Sequence, residues 1–341
     1  KANQHWQNIL IIGIGGSSLP AQTLITALAK KNTPEFYFLD NLDPNKTSKI
    51  FSKFNWQKTL VIAIAKSGNT LETISNFLIA KKRLGKNWRQ QTVIITDPDN
   101  GYLRKFANKE KLTTFEIPSE IGGRFSIFTP VGLLPAMLAK INIKKLLQGA
   151  QNANSQQALK FAKIHATEYL RGKNITTLCA YSNALEFFCK WWEQLLAESI
   201  GKSEKIGITP EIAIGATDQH SKLQLWNDGP RDKFFIFLNI EKSQTDFRIP
   251  CPPAKFNYLK NKSMHQILNL EFEATIKSLH EKDLPIAQIK IEEINEENMG
   301  ELLQFWMLEI YYLSKILKVN PFDQPGVERG KVLIKKMLNV C

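Results

Sequence analysis

Short apolar runs alternate with helix-period segments along the chain, and this restricts the fold more than any other feature. In the first third, strand-sized runs at 8–14, 35–40, 60–65 and 92–96 are separated by helical patterns at 19–30, 44–54 and 70–84. A run with no polar alternation is buried on both faces, and strands joined through helices run parallel. The pattern therefore predicts an α/β fold, a parallel sheet flanked by helices in an α/β/α sandwich. Such sheets take their ligands beyond the carboxyl ends of the strands. A further strand is expected at 112–117 and helical pattern through 131–170. The alternation then recurs, with strands at 176–181, 234–240 and 286–291 and helices at 183–200, 297–317 and 327–338. The recurrence predicts two related domains, 1–150 and 151–341.

Bulk properties remove several function classes. The longest apolar run, 59–65, is strand-sized, well short of the ~18 residues of a membrane span. The first residues carry no apolar segment of the signal-peptide kind, so a cytoplasmic protein without a membrane partner is expected. Cys179, Cys189, Cys251 and Cys341 fit neither zinc nor redox spacing, and the five histidines are scattered; no metal is expected. The net charge of +13 raises nucleic-acid binding. The lysines look spread along the chain and no recognition motif accompanies them. The expectation is a basic background that attracts an anionic metabolite, with no nucleic-acid partner.

Three turns have the chemistry of an anion site. Gly122-Gly123-Arg124-Phe125-Ser126 combines a permissive backbone with one fixed guanidinium, suited to a phosphate or a negatively charged intermediate. Gly13-Ile14-Gly15-Gly16-Ser17-Ser18 follows the first strand and opens a helix. Gly16 allows close backbone approach and Ser17 adds a hydroxyl. Asp40 stands where a dinucleotide fold would place its ribose-binding acid, but Ser18 occupies the third glycine position, so no nicotinamide cofactor is expected. Lys66-Ser67-Gly68-Asn69-Thr70 crowds donors into one turn before a helix whose first N–H groups are free. One hydroxyl would suffice for a cap; this many donors after a parallel strand predict a phosphate cradle.

Acid–base candidates lie in the second half. Gln194 and Glu198 are four apart and share a face of an apolar helix, flanked by Trp191 and Leu195. A partly desolvated carboxylate there suits proton abstraction beside a carbonyl. His220 follows Asp218 and Gln219 in a polar stretch. Near the end, Asp323 is expected to cap the last helix and Pro325 to sit in its first turn. Gln324 and Lys331, seven apart, would then face one cleft across two turns.

At these residues the chain closely resembles the phosphoglucose isomerase family. Two long motifs match in order and spacing: Glu120-Ile121-Gly122-Gly123-Arg124-Phe125-Ser126-Ile127-Phe128-Thr129-Pro130-Val131-Gly132 and Phe322-Asp323-Gln324-Pro325-Gly326-Val327-Glu328-Arg329-Gly330-Lys331. The two other glycine- and serine-bearing turns match as well, and the likeness runs from residue 8 to about 338. It implies two sugar-isomerase domains, the C-terminal helix closing the active-site cleft, and a homodimer working in glycolysis and gluconeogenesis without metal or organic cofactor. The implied reaction interconverts glucose 6-phosphate and fructose 6-phosphate.

By the same resemblance, Glu198 moves the proton between C2 and C1 through a cis-enediol, and Arg124 stabilises the enediolate. His220, reaching in from the other subunit, and Lys331 open the ring. Ser67 and Thr70 hold the phosphate, with Gly16, Ser17, Lys66, Gly68 and Asn69 around it. Gln194 and Gln324 position substrate hydroxyls, and Glu72 supports the phosphate loop from behind. Ala65 departs from the usual Ser, removing one phosphate donor, and Pro20 stands where Gly is common. Relatives carry further N-terminal helical sequence, which implies a compact or shortened chain here. A sugar-phosphate sensor would need the cradles alone, so the joint presence of Glu198, His220 and Lys331 favours an enzyme. An isomerase acting also on mannose 6-phosphate stays open as an alternative.

Overall fold

Two parallel sheets organise the chain, one in each of the two units, 1–147 and 148–341, into which it divides. The structure, a computed structural model, describes residues 6–338. In the first unit the strands are β1 (Asn8–Ile12), β2 (Glu35–Leu39), β3 (Thr59–Ala65), β4 (Thr92–Thr96) and β5 (Thr113–Glu116). The helices are α1 (Leu19–Leu28), α2 (Pro44–Phe51), α3 (Leu71–Leu84), α4 (Tyr102–Lys109) and α5 (Pro130–Leu138). The order is β2-β1-β3-β4-β5, every pair parallel.

The central strands β1, β3 and β4 are buried at every residue, which is why their sequences show no alternation. Successive side chains still point to opposite faces. Ile9 and Ile11 meet Ala21 of α1 and Val131 of α5. Leu10 and Ile12 join Phe77 and Ala80 of α3 and Leu103 and Ala107 of α4. The strand order reverses between β1 and β3. Chain leaving their carboxyl ends diverges there and opens the crevice in which open α/β sheets bind ligands.

The helix α6 (Ile143–Asn152) crosses the boundary between the units. The second unit continues with α7 (Ser155–Leu170), β6 (Ile175–Ala180), α8 (Glu186–Ile200), β7 (Thr209–Ile214), α9 (Gln219–Asp228) and β8 (Lys233–Ile240). It ends with α10 (Met264–His280), β9 (Ile286–Ile291), α11 (Glu296–Ile316) and α12 (Glu328–Met337). Its strand order is β7-β6-β8-β9, again all parallel. Trp226 of α9 and Phe272 and Leu279 of α10 pack on Phe235 and Phe237 of β8. Between α7, α11 and β6 lies a buried polar pin: His165 Nδ1 is 2.9 Å from Glu309 Oε1, and its Nε2 is 2.8 Å from Thr176 Oγ1. Cys179 and Cys189 are core residues, and burial pushes the Cys179 thiol up to about 12.

Several elements differ from the expectation. The helical pattern at 131–170 is three helices, broken where Lys140 takes a left-handed φ of 57° and where Asn154 caps α7 by accepting from the N–H groups of Gln156 and Gln157. The strand β7 was not expected. It is a partly exposed edge strand carrying Pro210, and edges tolerate the missing donor. Neither was α10, although a capping box, Ser263 with Gln266, announces its start. The segment 183–200 begins as a 3-10 turn, Asn183–Leu185, before α8 proper. Among the described residues no helix is long and apolar enough to cross a membrane.

Candidate active site

The three turns expected to hold an anion stand at the carboxyl ends of β1, β3 and β5 of the first unit. After β1 the chain turns through Gly15, φ 54°, into a 3-10 turn, Gly15–Ser17. A Cβ on Gly16 would lie 2.3 Å from the carbonyl carbon of Gly123 and 2.7 Å from the Arg124 nitrogen. Glycine at 16 is thus what lets this turn seat directly on the Gly122-Gly123-Arg124 run. Ser126 locks the contact, its Oγ 3.2 Å from the carbonyl oxygen of Gly16 and 2.7 Å from that of Gly123. Arg124 is 2% exposed, its guanidinium 5.4 Å from the Phe125 ring centre.

The 66–70 turn is braced from β4. Gly68, φ 65°, folds the loop back. Gly101, φ 91°, lies so close that a Cβ there would be 2.2 Å from the Ser67 carbonyl oxygen. Asn69 Oδ1 accepts from the Tyr102 N–H at 2.9 Å, so part of this carboxamide holds the start of α4. Ser67 Oγ accepts from the Asn69 N–H at 3.3 Å and lies 3.5 Å from Thr70 Oγ1. Thr70 is the N-cap residue of α3, yet its side chain makes no capping bond, which leaves the first N–H groups of α3 unsatisfied by the cap. Ser67 is exposed and Thr70 half-buried. The N–H of Asp97 donates to the Lys66 carbonyl at 3.2 Å. The Asp97 carboxylate accepts from the N–H groups of Asp99 and Asn100 at 2.9 and 2.8 Å, and those bonds, with Lys66 nearby, hold its pKa below the usual carboxylate value. Glu72 sits half-buried in the first turn of α3. Asp40 is engaged by Lys46 Nζ at 2.7 Å and Gln22 Nε2 at 3.3 Å, so it is committed to an ion pair.

In the second unit, α8 buries Trp191, Trp192, Leu195 and Leu196 completely. Its intermediate face carries the expected pair: Gln194 Nε2 donates to Glu198 Oε1 at 2.8 Å, both residues half-buried. The other Gln194 amide atom, Oε1, is buried without a hydrogen-bond partner. His220 lies in the first turn of α9, exposed, its imidazole without a side-chain partner among the described residues. The residues before it are fixed. Asp218 Oδ2 accepts from the Ile214 N–H at 2.7 Å, and Gln219 Nε2 donates to Tyr181 Oη and to Thr275.

The last motif departs from its expectation. Asp323 does not cap α12, which starts at Glu328 with Val327 at its N-cap. Lys202 takes Asp323 instead, its Nζ donating to the backbone oxygen at 2.5 Å and to Oδ1 at 3.0 Å, while Asn320 Nδ2 donates to Oδ2 at 3.0 Å. Gln324 has φ −156° and lies outside the helix, so its seven-residue spacing to Lys331 is not two helical turns. Pro325 begins a separate 3-10 turn, Pro325–Val327. Lys331 Nζ donates to Glu328 Oε1 at 2.7 Å, both side chains exposed, and no described residue of α12 is buried.

Within the first unit, then, the structure joins Gly16 to the Gly123-Arg124 backbone and gathers 66–70 into one turn. Within the second it joins Gln194 to Glu198, and it sets His220 and Lys331 on exposed helix positions. Lys202 is the residue that sequence reasoning missed. One lysine after Gly201 in a polar stretch carries no signal, and its role comes from a partner more than a hundred residues away.

Comparison with known proteins gives a consistent result. The family model described as phosphoglucose isomerase matches residues 1–244. A probable glucose-6-phosphate isomerase of Methanococcus maripaludis is 36% identical over 351 residues, covering 98% of this chain and 80% of that protein. A glucose-6-phosphate isomerase of Thermus thermophilus is 36% identical over 99% of this chain and 85% of its own. Among solved structures, a hypothetical protein from another strain of Thermus thermophilus superposes with a TM-score of 0.93 at 35% identity, covering 99% of this chain and 85% of that one. A glucose-6-phosphate isomerase of Chlamydia trachomatis, 22% identical, shares the fold with a TM-score of 0.83 over 98% of this chain and 70% of its own.

Proposed function

Because this chain belongs to the phosphoglucose isomerase family, we propose that it interconverts D-glucose 6-phosphate and D-fructose 6-phosphate by ring opening and proton transfer between C2 and C1. The observation that carries the reading is kinship over nearly the whole chain. The matched length takes in the anion turns of the first unit and the acid–base residues of the second.

The chemistry divides accordingly. The phosphate ester is the handle, and the donors of 66–70, with Lys66, Gly16 and Ser17, are assigned to it. Binding energy spent on that distant group orients the reacting carbons. Ring opening moves the O1 proton and protonates the ring oxygen, the task assigned to His220 and Lys331. The Glu198 carboxylate takes the proton from C2 of the open-chain aldose and returns it to C1. The negative charge that builds on the enediolate oxygen is assigned to Arg124. The Gln194 bond supports this, because it fixes one Glu198 oxygen at 2.8 Å. Gln194 and Gln324 are assigned to substrate hydroxyls, and Glu72 to support of the phosphate loop.

The enzyme works as a homodimer in the cytoplasm, His220 being contributed across the interface. An exposed imidazole with no side-chain partner among the described residues, and a final helix with none of its described residues buried, both support a role completed by a second subunit. The test is a coupled assay on fructose 6-phosphate without added metal. Formation of glucose 6-phosphate at enzymic rates, lost in Glu198→Gln, is the expected result. Full turnover in that variant sinks the assignment.

A further inference from the structure

The positive charge of this protein belongs almost wholly to one unit. Residues 1–147 hold 21 Lys and Arg against 9 Asp and Glu, whereas residues 148–341 hold 24 against 23. Within the first unit the charge is concentrated on one edge. In a βα succession the helices run back against the strands, so helix C-termini gather at the amino edge of the sheet, opposite the carboxyl-edge turns assigned to the sugar phosphate. The last turns of α2, α3 and α4 contribute Lys49, Lys81, Lys82, Arg83 and Lys109. With the connections that lead on to β3, β4 and β5, this edge carries ten cationic side chains and a single acidic one, Glu110, which is already paired with Arg89. A helix dipole accounts for one or two such residues per helix. It does not account for the lysines and arginine of the connections, and steering of a small substrate to the opposite edge does not call for charge here.

Two concavities border these cations, the first through Arg83 alone. Between α2 and α3 a groove of about 480 Å³ is walled by Phe51, Trp56 and Ile79, with Arg83 and the hydroxyls of Thr47 and Ser48. Asp43, at its far end, is occupied in capping α2. A second cavity, of about 560 Å³, is lined by Arg89, Lys109, Lys111 and the Arg89-paired Glu110 where β4 and β5 begin. Cations here already lie over aromatic faces: Lys81 Nζ is 4.2 Å and the Arg89 guanidinium 4.7 Å from the Trp88 ring centre.

We propose that this edge binds single-stranded nucleic acid, the phosphates running along the lysines and arginines and a base entering the aromatic groove between α2 and α3. A charged track beside aromatic walls is the arrangement by which single strands are held without sequence readout. An aromatic groove with hydroxyls at its rim favours a planar base over a carboxylate side chain, so it favours nucleic acid over an acidic protein segment. The lysines that look scattered in sequence meet on one edge because βα units deliver their own cations there, and on that ground the proposal departs from the expectation of no nucleic-acid partner.

The test uses the full chain, a fluorescent 20-nucleotide oligouridylate and anisotropy across a salt series. Expected is saturable binding at low salt, log K falling with log salt by about 0.7 for each phosphate contacted. The variant K82E/R83E/K86E, and separately K109E/K111E, should weaken binding at least tenfold with isomerase turnover unchanged, which shows that they fold. A triple of equal charge change in the second unit, K255E/K260E/K262E, should weaken it far less. Equal losses in both units, or displacement of the oligonucleotide by polyglutamate at matched charge, overturn the proposal.

Discussion

Glycine at position 16 shows how much can rest on one missing side chain. The 2.3 Å that would separate its Cβ from the Gly123 carbonyl carbon involves backbone on both sides, so no rotamer change can relieve it. Gly16→Ala is expected to cost about 1–3 kcal/mol, the usual penalty of overpacking, read by urea unfolding, and to raise KM through displacement of the turn. Glu198→Gln keeps the shape and the Gln194 contact but loses the base. Its kcat should fall about 10²–10⁴-fold, the range of general-base catalysis, with KM for fructose 6-phosphate changed only a few-fold in the same assay. Asp97 gives a pH signature. Its folded pKa is lowered by the Asp99 and Asn100 N–H bonds, so the unfolded chain takes up the proton first. The stabilisation is present above the ordinary Asp value of about 4 and is lost as pH falls through the lowered one. Denaturant midpoints measured downward from neutral pH should fall less steeply on the acid side in Asp97→Asn than in the native protein.

Among elements, the lesson lies in where helices start and stop. The buried strands β1, β3 and β4 were legible because a sheet covered on both faces leaves a continuous apolar run. The edge strand β7 was not, since half-exposure and Pro210 erase that run. The last helix lies within the expected 327–338, but its cap was misassigned because Asp323, an ordinary capping residue by its neighbours, is captured by Lys202. Lys202 is 10% exposed at its side chain and follows the helix that carries Glu198, so it fixes Asp323, and with it the adjoining Gln324, to the end of that helix. Lys202→Met should lower kcat about ten- to a hundredfold, as small misplacements near reacting groups do, with little change in melting temperature; Lys202→Arg should recover much of the activity. Parallel losses of activity and melting temperature in both variants would reduce Lys202 to a purely structural role.

For the whole molecule, the proposed contribution of His220 from a partner has a direct consequence. Glu198→Gln and His220→Ala would each be inactive as homodimers. Co-expressed, they would form heterodimers in which one of the two sites holds both native groups. Random pairing then restores about a quarter of the native sites, measured as specific activity of the co-purified mixture. No recovery would place His220 in the site of its own chain.

What the sequence determined by itself was the alternation of strand and helix, and with it the parallel sheets and the carboxyl-edge turns. It also identified the residue types gathered there, because apolar periodicity and short glycine-, serine- and arginine-bearing motifs are local properties. Tertiary structure alone decided that Gly16 touches Gly123, that Lys202 holds Asp323, and that cations from three separate βα units share one edge. Those outcomes depend on which distant segments become neighbours. The free energy that chooses them, close packing and the pairing of buried charge, is not written in any one stretch of chain.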